Sequence, residues 1–300
     1  KSWNRWNFEL GSGFINDTII GYKGDTNQWA FFKDIINMFD LVIEATALNP
    51  KHLEITPYKD WIQNGGLKDW TNKVLDENLK YNPMTGLAKR TIFEFAEDED
   101  DVITLAHNHP NSWRYSHDEL QSLEIFDNDI SRIALTEVAA TYYAPAYNGN
   151  VFIPQIVGEG YPPNWENKWR ILYDNGITTT SNTTMTAGLP GVFSSNSYLR
   201  FSTKQDGATG ISYNYGVVDY DFSGTWLNSL FNVYWLKYID ELYHKDTRTL
   251  ELLIYLSTED IETLQFNDTI QIRNRRFRVI KINYRANGIS KVELITIKYI

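Results

Sequence analysis

The sequence has no cysteine among its 300 residues. Disulfide bonds, thiolate zinc sites, iron–sulfur clusters and cysteine nucleophiles are therefore excluded for this chain. Apolar runs are short as well. The longest candidate, Ile130–Ala146, is interrupted by charged and polar residues, whereas a membrane-spanning helix needs about 18 mainly apolar residues. The chain starts at Lys1 without a stretch resembling a signal peptide. We therefore expect no transmembrane segment, and we expect a fragment or processed product with further sequence ahead of Lys1.

Positive charge is also in the minority. The 28 Lys and Arg residues are outnumbered by 38 Asp and Glu residues, which gives a formal net charge of −10. Such a chain repels phosphate backbones, so general nucleic-acid binding is not expected. Hydrophobic residues at 42% and charged residues at 22% are typical of a folded globular chain. Aromatic residues are abundant at 15%, which is typical of β-strands and of large contact surfaces.

The chain divides into three regions that differ in composition and in the pattern of apolar residues. In the first, residues 1–27, Trp6, Phe8 and Leu10 alternate with polar residues, and glycines mark turns. This pattern predicts a β segment that completes an upstream or tube-like sheet, because the region is too small for a core of its own.

Residues 28–155 predict an α/β insertion domain. Apolar side chains recur at helical spacing through Gln28–Phe39, and Asn27 is the predicted N-cap. The strands predicted in this region are Leu41–Ala45, His52–Ile55, Arg90–Phe95 and the later part of Ile133–Tyr143.

Residues 156–300 predict a β-rich domain. Its main helix is Leu230–Tyr243, with a stripe of apolar residues, and a short acidic helix is predicted at Thr258–Leu264 with Thr258 as N-cap. The predicted strands are Leu250–Leu256, Thr269–Arg273, Phe277–Tyr284 and Lys291–Ile297, and the turn signal Asn287-Gly288 favours a C-terminal meander or barrel. The three regions together predict an α+β, β-rich fold, in which β-rich portions flank an α/β insertion.

Several segments form a recognisable pattern. They are FFKDIINMFDLVIEATALNPKHLEITPYKDW at 31–61, LKDWTNK at Leu67–Lys73, IFEFAEDED at Ile92–Asp100, and above all residues 230–297. In the last segment a helix with the pair Tyr234-Trp235 precedes a Thr-Arg strand. The step DIETLQFNDTI then leads into a hairpin that ends in Val-Glu-Leu. These segments resemble tail proteins of bacteriophages that infect Bacteroidetes-type bacteria.

The resemblance implies a hub-like structural protein of the virion tail, assembled in the host cytoplasm. Such proteins commonly form a threefold ring, carry tube-like β domains with α/β insertions, and join the tail tube to tip or fibre proteins. The resemblance implies neither catalysis nor a cofactor, and we expect a homotrimer that binds other tail proteins. The residues that we expect at subunit interfaces are Tyr234, Trp235, Tyr238, Arg248, Arg276 and Arg278.

The stretch Leu105–Leu120, LAHNHPNSWRYSHDEL, supports an alternative. It resembles the zinc site of JAMM-type metalloproteases, whose pattern is His-x-His-Pro, then a serine, then an acid three residues on. On this interpretation His107, His109 and Glu119 hold the metal, and a water occupies the open position.

The match to this zinc site is incomplete. Ser116 and Glu119 have the required spacing, but the family usually has Asp at the acid, and Asp118 comes one residue too early. Glu44 or Glu54 could be the general base, yet neither lies in a motif that demands it. We therefore favour a polar loop at 107–110, because short motifs often match by chance.

A third interpretation is a carbohydrate- or receptor-binding tip module, in which some of the ten tryptophans form a sugar platform. Their scattered spacing favours core and interface packing instead.

The basic patch Arg273, Arg275, Arg276 and Arg278 fits two roles equally well. It could be a charged strand edge that discourages wrong pairing, or a contact with an acidic neighbouring subunit.

Overall fold

The computed structural model describes residues 27–46, 49–98, 116–122, 126–144, 150–152, 168–179, 184–185, 193–194, 197–206, 210–216, 228–286 and 288–297. The predicted β segment at 1–27 lies outside the described residues, apart from Asn27. The chain divides into two compact units. Unit 1 is drawn from the ranges 1–34, 95–115 and 135–205, and unit 2 from 35–94, 116–134 and 206–300.

The described residues have the predicted α+β, β-rich composition. The helices are α1 (Gln28–Phe39), α2 (Tyr58–Trp61), α3 (Leu236–Tyr243) and α4 (Thr258–Glu262), with a π-helical segment, Phe231–Trp235, directly before α3. The strands are β1 (Leu41–Thr46), β2 (Asn49–Pro57), β3 (Leu67–Asp69), β4 (Val74–Pro83), β5 (Ala88–Ala96), β6 (Asp118–Gln121), β7 (Asn128–Ala139), β8 (Tyr142–Ala144), β9 (Asn150–Phe152), β10 (Tyr173–Thr179), β11 (Thr184–Met185), β12 (Phe193–Ser194), β13 (Ser197–Ser202), β14 (Arg248–Tyr255), β15 (Thr269–Ile272), β16 (Arg275–Asn283) and β17 (Ile289–Thr296). Within these ranges, no helix combines the length and apolarity needed to cross a membrane.

Helix α1 begins and ends where its sequence signals lie. The Asn27 side chain accepts a hydrogen bond from the Trp29 amide at 2.9 Å, so Asn27 caps the helix as predicted. The helix ends before Asp40, whose φ of 47° is left-handed. Aspartate is one of the few residues other than glycine that tolerate this conformation.

Unit 2 contains a six-stranded sheet in the order β3-β15-β16-β17-β14-β4. All neighbouring strands are antiparallel except β3 and β15. Along β14 the side chains of Leu250, Leu252 and Ile254 are buried alternately, as expected for a sheet with one covered face. The predicted meander β15–β16–β17 is confirmed, but in the described chain the sheet is not a closed barrel, because β3 and β4 do not pair.

The two edge strands of this sheet come from the predicted insertion region. Strand β4 pairs with β14, with Leu250 opposite Tyr81, and β3 pairs with β15. The residue that follows β3, Trp70, is buried in the core of the sheet, and its amide donates to the Gln271 carbonyl at 2.9 Å. Residues 67–83 therefore complete the sheet built by the C-terminal part of the chain.

Two further pieces of unit 2 position the site described below. Strands β1 and β2 form a separate two-stranded antiparallel sheet, the β1–β2 ribbon. Strands β6, β5 and β7 form a three-stranded sheet, and Ile92 and Phe93 of β5 are buried.

Unit 1 is held together by contacts of its own. Strands β10 and β13 pair in antiparallel fashion, as do β8 with β9 and β11 with β12. The Phe31 ring packs on Trp169 at 5.4 Å. The guanidinium of Arg170 forms a buried ion pair with Asp98 and also donates to the Ala140 carbonyl.

The elements differ from the predicted ones in several places. The cap of α4 is Ser257 and not Thr258: the Ser257 hydroxyl accepts from the Asp260 amide at 3.2 Å, and the Asp260 carboxylate accepts from the Ser257 amide at 2.9 Å. This reciprocal pair is a capping box. Strand β2 begins at Asn49, three residues before the predicted strand His52–Ile55. Strands β3, β4, β6 and β9 to β13 have no counterpart among the predicted strands.

Candidate functional site

The structure describes only part of the proposed zinc site. His107 and His109 lie outside the described residues. Glu119 lies on β6 opposite Ile92, and its Oε1 is 3.3 Å from Nε of Arg90. Ser116 is buried with a left-handed φ of 60°, and its hydroxyl accepts from the Tyr215 amide at 3.3 Å. In the described part of the chain, no group of three or more His, Asp or Glu side chains could hold a metal ion. The zinc site stays a prediction.

The two candidate general bases lie opposite each other in the β1–β2 ribbon, since Glu44 pairs with Glu54 across the strands. Glu44 is already engaged, because its Oε2 accepts a hydrogen bond from Nε1 of Trp61 at 2.7 Å. This contact ties the ribbon to the end of α2.

Three of the six predicted interface residues lie on the π-helical segment and α3. Trp235 is only 7% exposed, packs on Phe93 at 5.3 Å between ring centroids, and donates from Nε1 to the Asn37 carbonyl at 3.0 Å. Tyr234 packs edge-on against Phe39 at 5.2 Å, and Tyr238 against Tyr58 at 5.1 Å. Most of the Trp235 ring is therefore used inside unit 2 and is not available to a neighbouring subunit.

Arg278 takes part in a hydrogen-bonded group that we call the Glu241 network, formed by Tyr58, Glu241 and Arg278. The guanidinium donates from Nη2 to Oε1 of Glu241 at 3.0 Å and from Nη1 to the Tyr58 hydroxyl at 2.8 Å. The Tyr58 hydroxyl in turn donates to Oε2 of Glu241 at 2.9 Å. The network joins α2, α3 and β16, and it neutralises the buried Glu241 carboxylate. Burial raises the pKa of Tyr58 well above its ordinary value, so the hydroxyl keeps the proton that it donates.

The remaining two predicted interface residues are exposed. Arg248 lies at the start of β14, and its Nη1 donates to the carbonyls of Lys245 at 2.9 Å and Thr247 at 2.7 Å. Arg276 lies on β16 opposite Gln271. The structure therefore brings four of the six residues together around α3 and leaves these two apart, and the interface role of all six stays a prediction.

The face of α3 that carries Tyr238 lines a cavity of about 720 Å³ in unit 2, which we call the Asp40 cavity. The aromatic part of its wall consists of Tyr58, Trp235, Tyr238 and Tyr243. The polar side chains in the wall are Asp40, Thr91, Asn128, Asp129 and Ser131. Several of these groups already have partners: the Thr91 and Tyr243 hydroxyls are 3.1 Å apart, and Lys89 pairs with Asp129 at 3.1 Å.

Asp40 differs from these wall residues in its hydrogen bonding. Its Oδ2 atom is buried and has no hydrogen-bond partner among the described residues. Burial raises the pKa of its carboxyl from 3.8 to about 7. Burial also raises the pKa of the Tyr238 hydroxyl, and the nearby charge of Asp40 adds to that effect.

The sequence patterns did not single out Asp40, Tyr58 or Glu241. One signal was present for Asp40, because an Asp directly after an amphipathic helix is a candidate for the left-handed residue that ends it. No local sequence pattern identifies Tyr58 or Glu241, because α2, α3 and β16 meet only in the folded chain.

No protein-family model matches the chain, and no curated protein matches it in sequence. The functional argument therefore depends on the surfaces and the cavity of the chain itself.

Proposed function

We propose that the chain is a structural component of a bacteriophage tail, a hub or tip protein that self-associates into a ring and attaches tip or fibre proteins. The observation that carries the proposal is the β1–β2 ribbon. Two apolar side chains of one of its faces, Leu53 and Ile55, are exposed.

The pairing of the ribbon puts its apolar side chains in one patch. Ile43 lies opposite Ile55, and Ala45 lies opposite Leu53. Since side chains on a strand alternate between the two faces, these four share one face. Leu53 is 54% exposed and Ile55 is 46% exposed.

The other face of the ribbon is polar and borders neighbouring parts of unit 2, and its side chains Glu44 and Glu54 are exposed as well. Glu44 and Glu54 lie on it, and both line a cavity together with Trp61 and Phe266. The hydrogen bond from Trp61 to Glu44 fixes this orientation. A ribbon that serves only its own chain would be expected to bury its apolar face, yet Leu53 and Ile55 stay about half exposed.

A partner that covers the patch removes these apolar side chains from water, which stabilises the complex. Full burial of a Leu or Ile side chain contributes roughly 1.5–3 kcal/mol, and about half of each of these two side chains remains to be covered. In a threefold ring the contribution recurs at every interface. This gain is needed, because copies that each carry a formal net charge of −10 repel one another.

Two more observations support the proposal. In residues 230–297, where the resemblance to phage tail proteins is clearest, a helix, strand β14 and a terminal hairpin follow in the order that the resemblance implies. Arg248, the first residue of β14, and Arg276, the second residue of β16, are exposed, and positive charge at these positions complements an acidic neighbour.

Size-exclusion chromatography with light scattering tests the ribbon. We expect the parent chain to form a trimer and the double variant Leu53→Thr/Ile55→Thr to be monomeric, since threonine keeps the strand propensity but removes apolar area. The matched control is Ile177→Thr, which changes an apolar side chain that is 71% exposed on β10. We expect this control to remain trimeric. A ribbon variant that assembles as well as the parent would rule out the ribbon as the interface.

A further inference from the structure

The Asp40 cavity contains a carboxyl group for which the described residues supply no countercharge. Oδ2 of Asp40 is buried and has no partner in the described part of the chain. Among the residues that line the cavity there is no Lys, Arg or His. The Arg278 guanidinium, which contacts the wall residue Tyr58, is bound to Glu241 and the Tyr58 hydroxyl. A buried carboxylate without a partner is costly, and an opposite charge placed beside it would remove that cost.

The rest of the wall is suited to an organic cation. Four aromatic side chains line the cavity together with Asp40, and the faces of such rings attract cations, tryptophan most strongly. A metal ion fits less well, because Mg²⁺ and Ca²⁺ prefer six or more oxygen ligands, and Asp129, the second carboxylate in the wall, is engaged by Lys89. The volume of about 720 Å³ is in the range of small-molecule sites.

We propose that the Asp40 cavity binds a small organic ammonium compound, with the Asp40 carboxylate as counter-ion and the aromatic side chains of Trp235 and Tyr238 around the cation. The site lies within one chain and does not depend on self-association. Failure of this proposal would therefore leave the proposed tail function untouched, and the reverse also holds.

The backbone at Asp40 places its side chain in this wall. The residue ends α1 with a φ of 47°, and β1 starts at the next residue, Leu41. Asparagine tolerates this conformation as well as aspartate does. The variant Asp40→Asn is therefore expected to keep the fold while removing the charge.

Binding of the cation should depend on pH. The ionised carboxylate binds the cation, and burial holds the pKa of Asp40 near 7. The affinity should therefore rise as the pH is raised from 6 to 8. The other titratable groups in the wall are Asp129 and the tyrosines Tyr58, Tyr238 and Tyr243. The pKa values of Tyr58 and Tyr238 are raised, so these hydroxyls stay neutral in this range.

The test is isothermal titration calorimetry of the full chain with tetramethylammonium chloride, at constant ionic strength and at pH 6 and 8. We expect saturable binding with one site per chain, tighter at pH 8. Asp40→Asn should weaken binding by about tenfold or more and abolish the pH dependence. The neutral analogue tert-butanol should bind the parent no better than tetramethylammonium binds Asp40→Asn.

Two further variants keep the test decisive. Tyr238→Leu removes an aromatic face and should weaken binding several-fold, whereas Glu259→Gln changes an exposed carboxylate on α4 that does not line the cavity and should leave the affinity unchanged. Circular dichroism of each variant checks the fold. If Asp40→Asn is misfolded, the proposal is judged by two other results. These are the pH dependence of binding to the parent chain and the weaker binding expected of Tyr238→Leu. Absence of saturable binding, equal affinity of Asp40→Asn, or tighter binding of MgCl2 than of tetramethylammonium would overturn the proposal.

Discussion

The carboxylate of Asp34, on helix α1, holds the backbone amide of Thr136, on β7, with both of its oxygens, at 3.0 and 2.9 Å. The same carboxylate accepts from the amides of Glu137 at 2.6 Å and Val138 at 3.0 Å. Asp34 is only 2% exposed. Three consecutive amides thus share one buried anion, and this fixes the N-terminal part of α1 to β7 within unit 1.

Replacing Asp34 by Asn should destabilise unit 1. The amide side chain keeps a single acceptor oxygen and places an NH2 group against backbone donors, so we expect a loss of about 2–3 kcal/mol. Urea unfolding measures the loss, and hydrogen exchange of the Thr136–Val138 amides locates it. Asp129→Asn is the control, because Asp129 has a side chain that is 84% exposed and its loss should cost less than about 0.5 kcal/mol. Equal stability of the two variants would contradict the role given to Asp34.

A close backbone approach at Gly65 gives a second prediction. A Cβ atom at this position would lie 1.8 Å from the Asn267 carbonyl oxygen, so Gly65→Ala must displace the backbone and should cost more than about 2 kcal/mol. Gly86→Ala is the matched control, since a Cβ atom there meets nothing within 4 Å. We expect the control to change stability by less than about 1 kcal/mol in thermal unfolding. A harmless Gly65→Ala would show that this contact is not as close as described.

Local patterns predicted part of the fold. Helix α1 was predictable because its apolar spacing and its cap residue Asn27 are contiguous. The hairpin β16–β17 was predictable because alternation flanks a strong turn signal. The cap of α4 was misassigned by one residue, since Ser257 and Thr258 both carry hydroxyls and only the backbone decides which one caps.

Non-local pairing explains what the sequence did not reveal. Strand β3 has three residues and forms only because Thr269–Gln271 supplies a parallel partner. Strand β4, VLDENLKYNP, has no clean alternation and is defined by its pairing with β14. The Asp40 cavity was unpredictable for the same reason, because its wall combines residues from Asp40 to Tyr243 that are up to about 200 positions apart in the sequence.

The Glu241 network should be energetically coupled. Glu241→Gln leaves the buried Arg278 guanidinium without its carboxylate and should cost about 3 kcal/mol. Arg278→Met should cost less, because Lys237 still pairs with Glu241 at 3.3 Å. The double variant should cost less than the sum by about 1 kcal/mol or more, because neither charge is then stranded. Urea unfolding of the four proteins gives this coupling.

The exposed pair of Glu251 and Lys291, at 2.7 Å, is the control for that cycle. Solvent screens this pair, so its coupling should be clearly smaller. Equal coupling in the two pairs would mean that burial adds nothing to the Glu241 network.

The raised pKa of Asp40 predicts how stability depends on pH. Between about pH 4 and 7 the folded chain holds a proton on Asp40 that the unfolded chain has lost, since the pKa is about 7 in the fold and 3.8 without burial. The contribution of Asp40 to stability is therefore fully present below pH 4 and is lost as the pH rises through 7.

The check is the difference in unfolding free energy between the parent and Asp40→Asn, measured from pH 4.5 to 8. We expect the unfolding free energy of Asp40→Asn to increase relative to that of the parent as the pH rises towards 7, and the difference to level off above that pH. A difference that does not change with pH would show that Asp40 is ionised throughout the range.

Self-association is the central claim, and native mass spectrometry of the purified chain tests it most directly, because one spectrum reports subunit number and bound metal together. We predict a trimer that carries no zinc, and the Leu53→Thr/Ile55→Thr variant should lose the trimer peaks. A chain that stays monomeric at every concentration and carries one zinc ion would contradict the account, and would move the function to His107 and His109.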